Sequence, residues 1–173
     1  MIVSMGIDQS LTCTGVVILR HYNDQYEVLH VEAISTTKTG LEDYADTLDR
    51  AIRIADRLVE ISKEFEVTDY CIEGLSFGSA GNATRNLAML MAIICLKLEI
   101  TNPYTVPPTT LKKYATGNGR ADKKAMLASI EQENEVLFNY LNPMTIKAGK
   151  YDLADAYYLS KHLLENNLTK QGK

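Results

Sequence analysis

Ile2-Val3-Ser4-Met5-Gly6-Ile7-Asp8, followed by Thr14-Gly15-Val16-Val17-Ile18-Leu19-Arg20, is the stretch on which the fold turns. Both segments read as strands. Alternation in the first puts Val3, Met5 and Ile7 on one face and Ser4, Gly6 and Asp8 on the other. The polar run His21 to Gln25 is a hairpin turn, and Tyr26 to Ser35 is a third strand with partial alternation, so the three form a β-meander. A long amphipathic helix follows from Leu41 to Phe65, its apolar positions being Leu41, Tyr44, Ala45, Leu48, Ile52, Ala55, Leu58, Val59 and Phe65. Val67 to Glu73 is a fourth strand. A strand–helix–strand unit of this kind implies a parallel, right-handed crossover.

The rest of the chain continues the alternation of elements. Gly74 to Gly81 is a Gly/Ser loop, and Asn82 to Glu99 an apolar helix. Pro103 to Val106 is a short fifth strand. A helical turn opens at Pro107-Pro108-Thr109 and is broken by Gly117-Asn118-Gly119. Asp122 then caps a helix reaching Leu137. Pro143 to Lys150 is a loop, and the last helix runs from Tyr151 to Glu165. The expectation is one α/β domain over residues 1–165, with a frayed tail at 166–173.

Composition narrows the class. The chain has 173 residues, 46% hydrophobic and 23% charged, with a net charge of −4. That length is enough to bury roughly two-thirds of the unfolded surface without covalent staples. The composition excludes collagen-like and disordered classes. The longest apolar run, Leu87 to Leu98, is shorter than a spanning helix needs and contains Lys97. The N-terminus lacks a basic n-region and cleavage site, and Cys13, Cys71 and Cys95 lack CxxC spacing. A cytoplasmic protein with reduced thiols, no zinc site and no membrane partner is therefore expected. Charge is unevenly spread. Residues 1–77 hold six Lys/Arg against 14 Asp/Glu, whereas residues 78–124 hold seven against two. A basic surface on an acidic body suits a polyanionic partner; a chance excess on solvated faces is the plain alternative.

Four carboxylates carry the chemistry. Asp8 ends the first strand and Glu73 the fourth, and ligands collect at the carboxyl ends of parallel strands in open α/β sheets. Asp152 and Asp155 stand at i and i+3 on one face of the last helix. Each has an ordinary explanation: Asp8 as a turn cap, the two aspartates as partners of the helix dipole. Glu73, between an apolar strand and a Gly/Ser loop, has the least structural use. Brought together, four carboxylates would repel one another unless cations joined them. An all-oxygen set suits Mg²⁺ or Mn²⁺, and two such ions serve in-line phosphoryl displacement. Lys112, Lys113, Arg120, Lys123 and Lys124 flank the Gly117-Asn118-Gly119 turn, where turn amides, a helix start and ammonium groups suit phosphate oxygens.

These residues carry a family resemblance. Gly6-Ile7-Asp8-Gln9-Ser10-Leu11-Thr12-Cys13-Thr14-Gly15, Ile72-Glu73, the basic segment Leu111 to Lys124, and Asp152-Leu153-Ala154-Asp155-Ala156 resemble, in order and spacing, the RuvC family of Holliday junction resolvases. The resemblance spans Ile2 to His162. It implies an RNase H-like fold: a mixed five-stranded sheet with helices on both faces. It implies a homodimer that cuts four-way DNA junctions by symmetric, Mg²⁺-dependent nicks, with two ions per site, Mn²⁺ substituting, and no nucleotide cofactor. Asp8, Glu73, Asp152 and Asp155 match the family's metal-binding acids, and Lys112 and Lys123 its DNA-contacting lysines. The family's junction-wedging aromatic falls on Ser76 here, with Phe77 the substitute one residue on. The short chain and eroded motifs lean to a phage source. The apolar residues around Asn82–Glu99 suggest that one face of this helix meets its twin.

Three alternatives remain, one of them an RNase H-like ribonuclease, separable by its RNA requirement. A catalytically weak, junction-binding architectural DNA protein could keep an RNase H-like core. A sugar-kinase or actin-like phosphotransferase would share the Asp8-x-Ser-x-Thr-x-Thr-Gly loop but needs a second domain. His162 is expected to be a surface or capping residue, and His21 and His30 ordinary hairpin residues.

Overall fold

The alternating first segment becomes the centre of the sheet. The computed structural model describes residues 2–23, 25–75 and 81–171. Strands β1 (Val3–Asp8), β2 (Cys13–Tyr22) and β3 (Gln25–Ser35) pair antiparallel as the meander expected. β4 (Asp69–Glu73) lies parallel to β1, and β5 (Tyr104–Val106) parallel to β4. The sheet order is β3-β2-β1-β4-β5. Helices α1 (Asp43–Glu64) and α2 (Asn82–Lys97) cover one face, where Val3, Met5 and Ile7 pack with Ile54, Leu58, Leu90 and Ile94. Helices α3 (Pro108–Thr116), α4 (Lys123–Glu133), α5 (Glu135–Leu141) and α6 (Lys150–Gln171) cover the other, around Val17, Leu19, Leu153 and Tyr157.

The face of β1 bearing Ser4, Gly6 and Asp8 is polar in sequence yet fully covered, because α6 crosses it at backbone contact. A Cβ on Gly6 would stand 2.0 Å from the Ala156 carbonyl oxygen, and one on Gly15 2.2 Å from that of Asp152. Only glycine permits this approach. Ser4 supports it with a buried hydroxyl pair to Ser160 at 2.5 Å. The consequence for function is direct: the first turns of α6 are pressed against the ends of β1 and β2.

Three element-level expectations are corrected. The buried face of α1 is Asp46, Thr47, Arg50, Ala51, Ile54, Ala55, Leu58, Ile61 and Ser62. Leu41, Tyr44, Leu48 and Ile52 are exposed instead. The helix expected from Asp122 to Leu137 is two helices, because Asn134 leaves the helical conformation and its side chain caps α5 by accepting from Leu137 N at 2.9 Å. The last helix runs past Glu165 to Gln171, and Asn167 Nδ2 donates to Asp69 Oδ1 at 3.0 Å, so the stretch after Glu165 is folded onto the start of β4. His162 is half-buried rather than on the surface. Its Nδ1 meets the Tyr104 hydroxyl at 3.0 Å, and its ring lies edge-on to Tyr114.

Candidate active site

The register of β1 and β4 brings the first two acids together. Gly6 is level with Cys71 and Ile7 with Ile72, so the next residues, Asp8 and Glu73, emerge side by side at the carboxyl ends of parallel neighbours. Asp8 is buried at 8% exposure, and its carboxyl is raised well above the usual range. Burial is the main cause, followed by the negative charges of Glu73, Asp155 and Asp152. Glu73 is also raised, first by burial, although a hydrogen bond with Asp8 and the charges of Lys123 and Lys112 pull it down. Proton sharing between the two is what the close approach of like charges demands.

Helix α6 supplies the other two. Asp155 is pushed up to about 7, chiefly by burial and then by Glu73. Asp152 pairs with Lys123 through an Nζ–Oδ1 distance of 3.6 Å. Burial disfavours the charge of Lys123, yet Asp152, Asp155 and Asp8 outweigh it and raise its pKa. Lys123 opens α4, whose start is fixed by Asp122 accepting from Ala125 N at 2.8 Å. Lys112, half-buried on α3, adds its charge to Glu73 and Asp155.

Six of the expected residues thus share one electrostatic cluster: Asp8, Glu73, Asp152, Asp155, Lys112 and Lys123. Lys113, Arg120 and Lys124 do not enter it. They stay exposed on the surrounding surface, on α3, on the turn after it and on α4. The turn itself is tight, with Gly117 at φ 76° ending α3 and Arg120 N bonded to Asn118 Oδ1 at 3.0 Å. Phe77 lies outside the described residues.

Sequence reasoning missed three supporting residues. Gln9 Nε2 donates to the Glu73 carbonyl at 3.2 Å and staples the two strand ends together. Cys13 lies against Asp152, burial keeping its thiol protonated. Arg50, buried in α1, donates from Nη2 to the Leu11 carbonyl at 2.8 Å and from Nε to Thr36 Oγ1 at 2.8 Å, while Nη1 pairs with Asp46 at 3.2 Å. It therefore fastens the loop that follows Asp8. Its only sequence signal was the Asp46–Arg50 spacing of i, i+4.

The donor chemistry fits hard divalent cations. Four carboxylates face two lysines, all donors are oxygen, and burial makes each negative charge costly unless a cation offsets it. Among the described residues no group of three or more His, Cys, Asp or Glu side chains is already closed around a metal position. Asp8 is engaged with Glu73 and Asp152 with Lys123, so closing the set takes side-chain rotation.

Comparison with known proteins gives the family and the fold. The family description "Crossover junction endodeoxyribonuclease RuvC" matches residues 4–156. The protein of that name from Helicobacter pylori strain 26695 is 27% identical over 131 residues, 74% of this chain and 79% of that one. The one from Ehrlichia ruminantium is 26% identical over 156 residues, 88% and 89% of the two chains. Among solved structures, Thermus thermophilus RuvC in complex with Holliday junction substrate superposes with a TM-score of 0.69 at 19% identity, covering 92% of this chain and 91% of that one. The yeast mitochondrial Holliday junction resolvase Ydc2 superposes with a TM-score of 0.63 at 16% identity, covering 91% and 75%. The sheet order, the helices on both faces and these neighbours make the fold RNase H-like. With its matched stretch spanning all four acids and both clustered lysines, this chain belongs to the RuvC family of crossover junction endodeoxyribonucleases.

Proposed function

We propose that the chain is a structure-selective endonuclease that resolves four-way DNA junctions by hydrolysing one phosphodiester on each of two strands, with Mg²⁺ or Mn²⁺ held by Asp8, Glu73, Asp152 and Asp155. The observation that carries this reading is the convergence of those four acids with Lys112 and Lys123 on one sheet edge. Two ions in such a set would stabilise the charge developing on the attacking and leaving oxygens. The chain's own residues do the rest. Asp8 and Glu73, fixed by strand register and by Gln9, hold the floor of the site rigid. Asp155, raised by burial and by Glu73 while no cation offsets them, would be held as a carboxylate by the ions it ligates. Lys112 and Lys123 face the acids and are placed to hold the phosphate on either side of the cut. Lys113, Arg120 and Lys124 extend that basic surface along the DNA backbone.

Symmetric cutting calls for two sites, and the homodimer reading has a surface to use. Leu48 and Ile52 of α1 and Leu96 of α2 are exposed, as are Ala92 and Ala88, one and two turns before Leu96 on α2. Small residues let two copies of α2 approach closely, so this stripe is our proposed self-interface. Cleavage of a labelled mobile four-way junction, beside forks and linear duplex, tests the function. Mg²⁺ and Mn²⁺ should each support paired nicks that EDTA abolishes and that Asp8→Asn lowers by at least a hundredfold while leaving binding intact. Tight junction binding without cleavage in either metal would instead favour an architectural role.

A further inference from the structure

The active site has a second wall that the lysines of α3 and α4 do not build. β3 ends level with Cys13, and β4 ends at Glu73, so both connections leave the sheet at its catalytic edge and α1 and α2 both begin there. Between their first turns lies a groove of about 650 Å³ lined by Leu11, Lys38, Tyr44, Asn82, Arg85 and Asn86, among others. Leu11 belongs to the loop that follows Asp8, so the groove and the acids are neighbours along one continuous edge.

Its chemistry is not that of a structural cleft. Lys38 and Arg85 are exposed, and among the described residues neither is taken up by an ion pair. The negative charge of Asp46 is spent on the buried Arg50, which leaves Asp43 as the carboxylate on the rim. Tyr44 is 73% exposed, an aromatic ring that packs on little of its own protein. Asn82 and Asn86 add amide groups able to donate as well as accept. A free ring flanked by two unpaired cations and by amides is the set that holds an unstacked nucleotide: the ring takes the base and the cations its phosphates. The floor is rigid, because Arg50 ties the Leu11 carbonyl to Thr36 and Asp46. One turn beyond Tyr44 on α1 stands Leu48, with Ile52 a turn further, so the groove adjoins the exposed apolar positions of the proposed self-interface as well as the catalytic edge.

We propose that this groove receives the branch-point nucleotide of the junction, with Tyr44 stacked on its base and Lys38 and Arg85 holding the phosphates beside it. The proposal rests on the nuclease reading above and adds to it the part of the substrate that distinguishes a junction from a duplex. Linear DNA presents no unstacked nucleotide, so the groove contributes selectivity rather than general affinity.

The test uses the full chain in EDTA, so that strands stay intact, and a four-way junction carrying 2-aminopurine at the branch point. Wild type should hold the junction more tightly than a matched duplex and quench the 2-aminopurine emission by stacking. Tyr44→Ala should lose that quenching and bind the junction about tenfold more weakly, with duplex affinity unchanged. Tyr44→Phe, which keeps the ring, should restore both. The double variant Lys38→Ala, Arg85→Ala should weaken junction binding by a similar factor with a shallower salt dependence. Wild-type selectivity with Tyr44→Ala unchanged in both readouts would overturn the groove assignment alone. A Tyr44→Ala protein that sediments as a smaller species and loses duplex binding equally would also overturn it, by placing the ring in the self-interface. Absence of junction preference in the wild type would overturn both the groove and the nuclease reading.

Discussion

Asp155 sits where burial and neighbouring negative charge push its carboxyl up to about 7, against the pull of Lys123 and Lys112. In the unfolded chain the same group ionises near 3.9. Between those values the folded state holds a proton that the unfolded state has released, so folding is favoured at the acid end of the window and loses ground as pH rises. The stabilising contribution is complete below about 4 and gone above about 7. A three-unit shift corresponds to roughly 4 kcal/mol at 1.36 kcal/mol per unit, and partial exposure of the side chain lowers that to about 1–2 kcal/mol. Thermal unfolding in EDTA should therefore show Tm falling between pH 5 and pH 8. Asp155→Asn should remove most of the fall, and Mg²⁺ added to the wild type at pH 8 should restore the lost Tm. A wild-type Tm that rises over this range would refute the assignment of a strained carboxylate here. Asp8 is expected to act in the same direction, since its carboxyl is raised for the same reasons.

Helix α6 is the element that makes a site out of separate acids, and it does so by backbone contact. Gly15 leaves no space for a methyl group: the nearest atom to its Cβ position is the Asp152 carbonyl oxygen at 2.2 Å, backbone that a rotamer change cannot move. Gly15→Ala must lift the first turn of α6 off β2 and carry Asp152 and Asp155 away from Asp8. We expect a loss of about 2–3 kcal/mol in urea denaturation with an unchanged m value, and at least a hundredfold loss of cleavage although no charged group is altered. Retained activity with only lower stability would show that the acids tolerate the shift. This element also shows where sequence reading stops. Alternation in the first strand and the strand–helix–strand order were enough to set Asp8 and Glu73 at the carboxyl ends of parallel strands, while their being neighbours is supplied by the β1–β4 pairing. The polar face of β1 gave no sign of its cover, because Ser4 and Gly6 bury themselves through a hydroxyl pair and a missing Cβ rather than apolar area. α1 misled for the opposite reason. Tyr44, Leu48 and Ile52 are apolar and helically spaced but exposed, while Asp46 and Arg50 are buried by satisfying each other. Asn134 was invisible as a break because Ile130 and Leu137 keep helical spacing, i and i+7, across it.

For the whole molecule, charge and apolar surface are segregated. Residues 78–124 hold seven Lys/Arg against two Asp/Glu, and Lys112 and Lys123 among them add their charge to the acids at the catalytic edge. On the proposed reading, cutting two strands of one junction requires two such edges in fixed relation, and so two copies of the chain. Leu96, 78% exposed at the last turns of α2, with Leu48 and Ile52 on α1, is the apolar surface proposed to fix that relation, although Val136, Tyr140 and Ile146 are exposed elsewhere. A stable self-interface needs on the order of 800 Å² from each partner, with a desolvated apolar centre. A charge placed at that centre should dissociate the pair without touching the fold. Leu96→Glu is therefore expected to sediment as a monomer at micromolar concentration, with folding stability within about 0.5 kcal/mol of wild type because the side chain has little to lose in the isolated chain. The catalytic edge is untouched, so each copy should still nick. The nicks should no longer be paired on one junction, and a supercoiled cruciform plasmid should yield open circles in place of linear product. A variant that remains dimeric and still linearises the plasmid would move the interface to another face of the molecule.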